Sequence, residues 1–247
     1  MSLSPAMRRY AAEFIGTFVL VALGPGAAMV SASTHAFGAT GVALAFGLAV
    51  TLVVAATGHI GGAHINPAVT LGLWSVRRFA SRDVPAYIIA QCLGAVAASA
   101  LLVWIVGPVG NFGATVPAIS TARAFAVEAG YTAILGFVIM GVTANARVAP
   151  SAVAFAIGAT IFAGALVTGP LTGGSFNPAR SLGPAIVGGV WTTHWLYWIA
   201  PMLGAVVGMN AYAIISPMTA AAAASPATSS ITTRYEPTNE VSTADRT

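Results

Sequence analysis

The sequence predicts an all-α membrane protein in which six spanning helices and two half-helices form an inverted repeat. Three observations carry that expectation. Of the 247 residues, 57% are hydrophobic and 6% charged, against roughly 25% charged residues in soluble domains. Uncharged stretches recur, each close to the ~20 residues that cross the hydrocarbon of a bilayer. The triplet Asn-Pro-Ala occurs twice, as Asn66-Pro67-Ala68 and Asn177-Pro178-Ala179.

The apolar runs place spans at roughly 9 to 32, 38 to 58, 84 to 106, 123 to 145, 150 to 168 and 194 to 216. The first is read as a membrane helix and not a removed signal peptide, because further spans follow it and no clear cleavage site is present. Alternation then sets orientation. With a cytoplasmic N-terminus, Arg8, Arg9, Arg77, Arg78, Arg82, Arg147 and the tail residues Arg234 and Arg246 all fall inside, and Arg123 falls near the outer face. Arginines spread in this way anchor a membrane protein and do not make a phosphate-binding surface, so no nucleic-acid partner is expected.

Smaller signals agree with that topology. Trp104, Trp191 and Trp195 fall near the outer ends of spans, where an amphipathic indole suits the interface. Gly204 and Gly208 lie one helical turn apart and allow close helix approach. Cys92 is the one cysteine, so an intrachain disulfide is excluded, and no cofactor or metal site is expected. The channel unit is taken as residues 1–216, with repeat halves at about 8–106 and 123–216. From 217 to 247 the chain turns to Ala, Ser, Thr and Pro with scattered charge, as a disordered cytoplasmic tail would.

Two segments break the simple count of spans. One runs from Gly58 to Trp74 and the other from Gly169 to Gly183, and both are too short and glycine-rich to cross alone. Asn is a preferred helix N-cap and Pro a preferred first helical residue, so each Asn-Pro-Ala opens a short apolar helix after an irregular loop. Irregular backbone at membrane depth is tolerated only where protein or a water-filled cavity satisfies its polar groups. Both segments are therefore expected to line an aqueous path.

The halves carry the same elements in the same order, with Glu13 in the first helix of one and Glu128 in the first helix of the other. Three spans per half is an odd number of crossings, so the second copy is inverted and the half-helix N-termini meet near the midplane. An ion-coupled transporter also uses this plan, but it generally needs a titratable or cation-binding group near its site. Glu13 and Glu128 are the carboxylates available for that role. A non-conducting scaffold would leave Asn66, Asn177 and Arg180 without a reason for their placement. No nucleophile, metal cluster or phosphate cradle suggests an enzyme.

Ala12-Glu13-Phe14-Ile15-Gly16-Thr17-Phe18, the run from Gly58-His59 to Asn66-Pro67-Ala68-Val69-Thr70, and Ser175-Phe176-Asn177-Pro178-Ala179-Arg180-Ser181 resemble the aquaporin (major intrinsic protein) family. The resemblance covers about residues 8 to 216. It implies a homotetramer with one pore per subunit, passing water or other small neutral solutes across a lipid bilayer. Asn66 and Asn177 would direct amide donors at the pore centre, and Arg180 would stand in an outer constriction. Glu13, Glu128 and His64 are read as supports for the irregular loops.

By the same resemblance the outer filter maps to Phe46, Ala165, Gly174 and Arg180. Water-selective members usually carry histidine at the position of Ala165 and a cysteine, threonine or similar small group at Gly174. The departure implies a wider opening and extends the expected solutes to glycerol or another small neutral solute. Ser181, Ala185 and Tyr197-Trp198 point back toward water channels, since glycerol facilitators usually have aspartate after the arginine. The expected function is a passive water channel with a relaxed filter, the alternative a glycerol facilitator with water secondary. Compactness and short loops suggest a bacterial inner membrane.

Overall fold

The computed structural model describes residues 3–216, so the expected tail lies outside the described residues. Among these, eight α-helices follow one another: α1 Pro5–Thr34, α2 Gly38–Gly61, α3 Pro67–Ser75, α4 Val84–Val106, α5 Thr121–Ala144, α6 Pro150–Thr172, α7 Pro178–Gly188 and α8 Leu196–Ile215. All but α3 and α7 are long and apolar enough to cross a membrane. The protein is an integral, multi-pass membrane protein of wholly helical class.

Several helix ends differ from the sequence reading: α1 starts earlier, at Pro5, α8 is shorter at both ends, and α2 and α6 run on to Gly61 and Thr172. Gly58, Gly61, Gly169 and Pro170 were expected in the irregular segments, yet helix continues through them. The chain breaks only at Gly62 (φ +87°) and Gly173 (φ +83°), where each helix ends on a left-handed residue. Glycine alone takes that conformation without steric cost, and its N–H closes the last turn. Each irregular loop is thereby reduced to five residues, 62–66 and 173–177.

Packing reproduces the repeat. The pair α1–α4 corresponds to α5–α8, α1–α2 to α5–α6, and α4–α7 to α3–α8, while α2 packs on α6 across the junction of the halves. Each half-helix thus leans on the third span of the opposite half. Gly47 and Gly158, separated by the same number of residues as Asn66 and Asn177, face one another at the α2–α6 crossing, where a Cβ on either would press on the other's carbonyl. A pseudo-twofold axis through that contact relates the halves.

The outward surfaces are apolar, as lipid requires: Leu48 and Leu52 on α2 are 52% and 59% exposed, and Trp104 at the end of α4 is 82% exposed. Lipid offers no hydrophobic drive between spans, so close backbone contact matters. At the α5–α8 crossing, methyl groups on Gly204 and Gly208 would collide with the carbonyls of Ala129 and Ala133. Overpacking of this kind costs about 1–3 kcal/mol. Gly208→Val is accordingly expected to lower the melting temperature of detergent-solubilised protein, read by size-exclusion after heating.

Candidate functional site

The two loops meet between the half-helices, and the geometry begins with their N-caps. Asn66 Oδ1 accepts the Ala68 N–H at 2.8 Å, and Asn177 Oδ1 accepts those of Ala179 and Arg180 at 3.0 and 3.2 Å. Pro67 and Pro178 occupy the first helical positions, and Ala68 and Ala179 are fully buried behind them. Each capping oxygen satisfies helix-start donors that hydrocarbon cannot.

The amide nitrogens do something else. Asn66 Nδ2 donates to the Phe176 carbonyl at 2.8 Å, and Asn177 Nδ2 donates to the Ile65 carbonyl at 2.7 Å. Each asparagine thus ties its own half-helix to the loop of the other half. An amide carries two N–H donors, so one donor per asparagine remains after these bonds. Both asparagines line the same cavity.

Ile65 and Phe176, whose carbonyls accept those bonds, have φ of +46° and +52°. The left-handed conformation costs a bulky residue about 1–2 kcal/mol, so something must hold it. The buried carboxylates do. Glu13 accepts the N–H groups of His64 and Ile65 at 2.8 and 2.6 Å, with Gln91 Nε2 donating at 2.7 Å. Glu128 accepts those of Ser175 and Phe176 at 3.0 and 2.9 Å, with Thr172 Oγ1 donating at 2.6 Å. Both glutamates are fully buried, and neither lines the cavity.

His64 sits with Nδ1 3.1 Å from Thr70 Oγ1, its ring against Phe79 and Tyr87. The corresponding pair in the second half is Ser175 and Ser181, with hydroxyls 2.6 Å apart. Tyr87 and Tyr197 donate to the carbonyls that end α2 and α6, those of Gly61 and Thr172, at 2.8 and 2.7 Å. The roles of Gln91, Thr70, Thr172 and Tyr87 are absent from the sequence reading. Comparing the halves position by position could have found some of them: Thr70 and Ser181 both stand four residues beyond their asparagines, and the two tyrosines sit at near-equivalent places.

A cavity of about 570 Å³ runs past the asparagines. Phe46, Ala165, Gly174 and Arg180, the four expected filter residues, all line it. Arg180 is buried, its Nη1 donates to the Gly113 carbonyl at 2.8 Å, and its Cζ lies 4.8 Å from the centre of the Phe46 ring. Gly24 on α1 leaves the space that Phe46 fills. Gly113 belongs to the connection between the halves, and that contact has no local sequence signal. The symmetry fails here, since the position matching Arg180 in the first half is Val69.

Electrostatically the lining is one-sided. Arg180 and Arg78 are its charged side chains among the described residues, and no carboxylate joins them. A path of this shape offers neutral donors along an apolar wall, with positive potential added by the two half-helix N-termini.

The family model described as Major intrinsic protein matches residues 1–212. The chain is 44% identical to aquaporin NIP1-1 of Oryza sativa subsp. japonica over 85% of this chain and 75% of that protein. It is 39% identical to nodulin-26 of Glycine max over 85% of this chain and 79% of the relative. Among solved structures, the X-ray structure of the aquaglyceroporin from Plasmodium falciparum superposes with a TM-score of 0.78 at 27% identity, covering 86% of this chain and 98% of the other.

Proposed function

Because the chain belongs to the major intrinsic protein family, whose members form membrane channels for water and small uncharged solutes, we propose that its permeation path is the cavity between the half-helices. The narrow filter is Phe46, Ala165, Gly174 and Arg180. The observation that carries this reading is the pair of crossed asparagines on one carboxylate-free wall. A solute oxygen accepting the remaining donor of each asparagine is oriented as aquaporin-type pores orient water, which interrupts proton hopping, while the helix dipoles repel cations.

The filter admits glycerol as well as water. Ala165 contributes a methyl group where an imidazole would narrow the opening, and Gly174, at φ +56°, stands in backbone that a larger residue would strain. The residues that pointed back toward water channels are not in the cavity lining. Ser181 bonds Thr115 and Ser175, and the Tyr197 hydroxyl bonds the Thr172 carbonyl, so both brace the loop and do not select the solute. One similar solved structure is that of an aquaglyceroporin, which favours the same side. The transporter alternative loses its site, because Glu13 and Glu128 stand behind the loops.

Liposomes holding the purified protein test this directly. Shrinkage under an impermeant osmolyte reads water flux, and re-swelling in glycerol reads solute flux. Wild type is expected to do both, and Ala165→His to retain water flux while cutting glycerol uptake about tenfold, equivalent to roughly 1.4 kcal/mol of added barrier. Glycerol exclusion by wild type would overturn the relaxed-filter reading and leave a channel for water.

The homotetramer and the cytoplasmic placement of both termini belong to the same proposal. Mass measurement of the solubilised complex tests the first, and protease protection in vesicles the second. A bacterial inner membrane is not carried forward, because the relatives named above are plant proteins.

A further inference from the structure

Arg78 lines the same cavity as Arg180, together with Thr143, Asn145 and Ser151. It follows the C-terminal end of α3, whereas Arg180 stands in the first turn of α7. Because the half-helices run apart from their meeting N-termini, Arg78 lies toward the opposite mouth. Its guanidinium is held in place: Nη1 donates to Thr143 Oγ1 at 3.1 Å and Nη2 to the Thr143 carbonyl at 3.3 Å. Both acceptors are neutral. Among the described residues the one ion pair is Arg9 with Asp83, so the charge on Arg78 has no carboxylate to offset it. The half-helix α3 supplies no charge at Val69, the counterpart of Arg180, and the first half instead carries its cation beyond the helix end.

We propose that Arg78 is a second specificity-determining residue, a fixed positive charge that excludes cations at the mouth opposite the Arg180 filter. This rests on the pore reading given above. Hydrogen bonds to Thr143 and to the Met140 sulfur tie that charge to the C-terminal end of α5. Set half-buried in a mostly apolar cavity lining, it acts through less solvent than an exposed arginine would. Bracing of α5 by the same bonds is the competing role, and charge separates the two: glutamine keeps a donor for Thr143 without the charge, whereas lysine keeps the charge without the fork.

The effect is read where Arg180 no longer masks it. Full-length Arg180→Val, Arg180→Val/Arg78→Gln and Arg180→Val/Arg78→Lys are placed in planar bilayers under a KCl gradient, and glycerol uptake by vesicles of the same preparations shows that each pore is open. Potassium conductance is expected to rise about tenfold in the glutamine double variant and to fall back to the single-variant level with lysine. The difference should shrink in about 1 M salt, where the screening length is near 3 Å. Equal conductance in the glutamine and lysine variants would overturn the proposal and leave Arg78 as a brace. Preparations that take up no glycerol would overturn the pore reading itself, and this one with it.

Discussion

Glu128→Leu is expected to yield almost no folded protein, and Glu128→Gln to fold with a lower melting temperature. The carboxylate accepts two backbone N–H groups and the Thr172 hydroxyl in a site without solvent exposure. Leucine abandons all three, and each buried donor left unpaired costs about 1–3 kcal/mol, more than a protein of marginal stability can lose several times over. Glutamine keeps one acceptor oxygen and loses the other, for about 1–3 kcal/mol in all. The Phe176 N–H is the donor most in need of its partner, because that residue is held at φ +52°. Its release would also free the carbonyl that Asn66 grips from the other half. Yield and thermal unfolding in detergent check both variants. A proton-relay glutamate would behave otherwise, with glutamine folding normally and transport losing its response to a pH gradient.

That network shows which parts of the molecule were legible in the sequence. Asn-Pro-Ala announces a half-helix because N-cap and first-turn preferences are local, and the matched placement of Glu13 and Glu128 follows from comparing the halves. The partners of those glutamates were harder to see. Gln91 reaches Glu13 across 78 positions of chain, and nothing near Gln91 marks it as different from any polar residue in a span. The Gly113 carbonyl that holds Arg180 lies 67 positions away, in a connection whose course only the packed bundle determines. Helix ends were misjudged for a related reason. Gly58 and Pro170 look like breakers, but neighbouring helices in a membrane bundle can support a helix through such residues.

Arg180→Val should have the opposite signature, a functional change without a stability loss. The guanidinium is buried beside Phe46 and has no ion-pair partner among the described residues. Holding a charge at membrane depth costs at least about 2.5 kcal/mol on insertion scales. One hydrogen bond to a neutral carbonyl and a ring contact recover about 2–4 kcal/mol together. Valine, the residue at the matching position of the first half, removes both sides of that balance, so the melting temperature should stay level or rise. Permeation should change instead. Without the donor fork and charge the constriction is wider and less polar, and glycerol uptake is expected to rise on the order of tenfold, which corresponds to a barrier lower by roughly 1.4 kcal/mol. Uptake and melting curves from one preparation decide the matter. A variant that melts early with unchanged uptake would make Arg180 a structural residue, since a group whose main task is selection should be dispensable to folding.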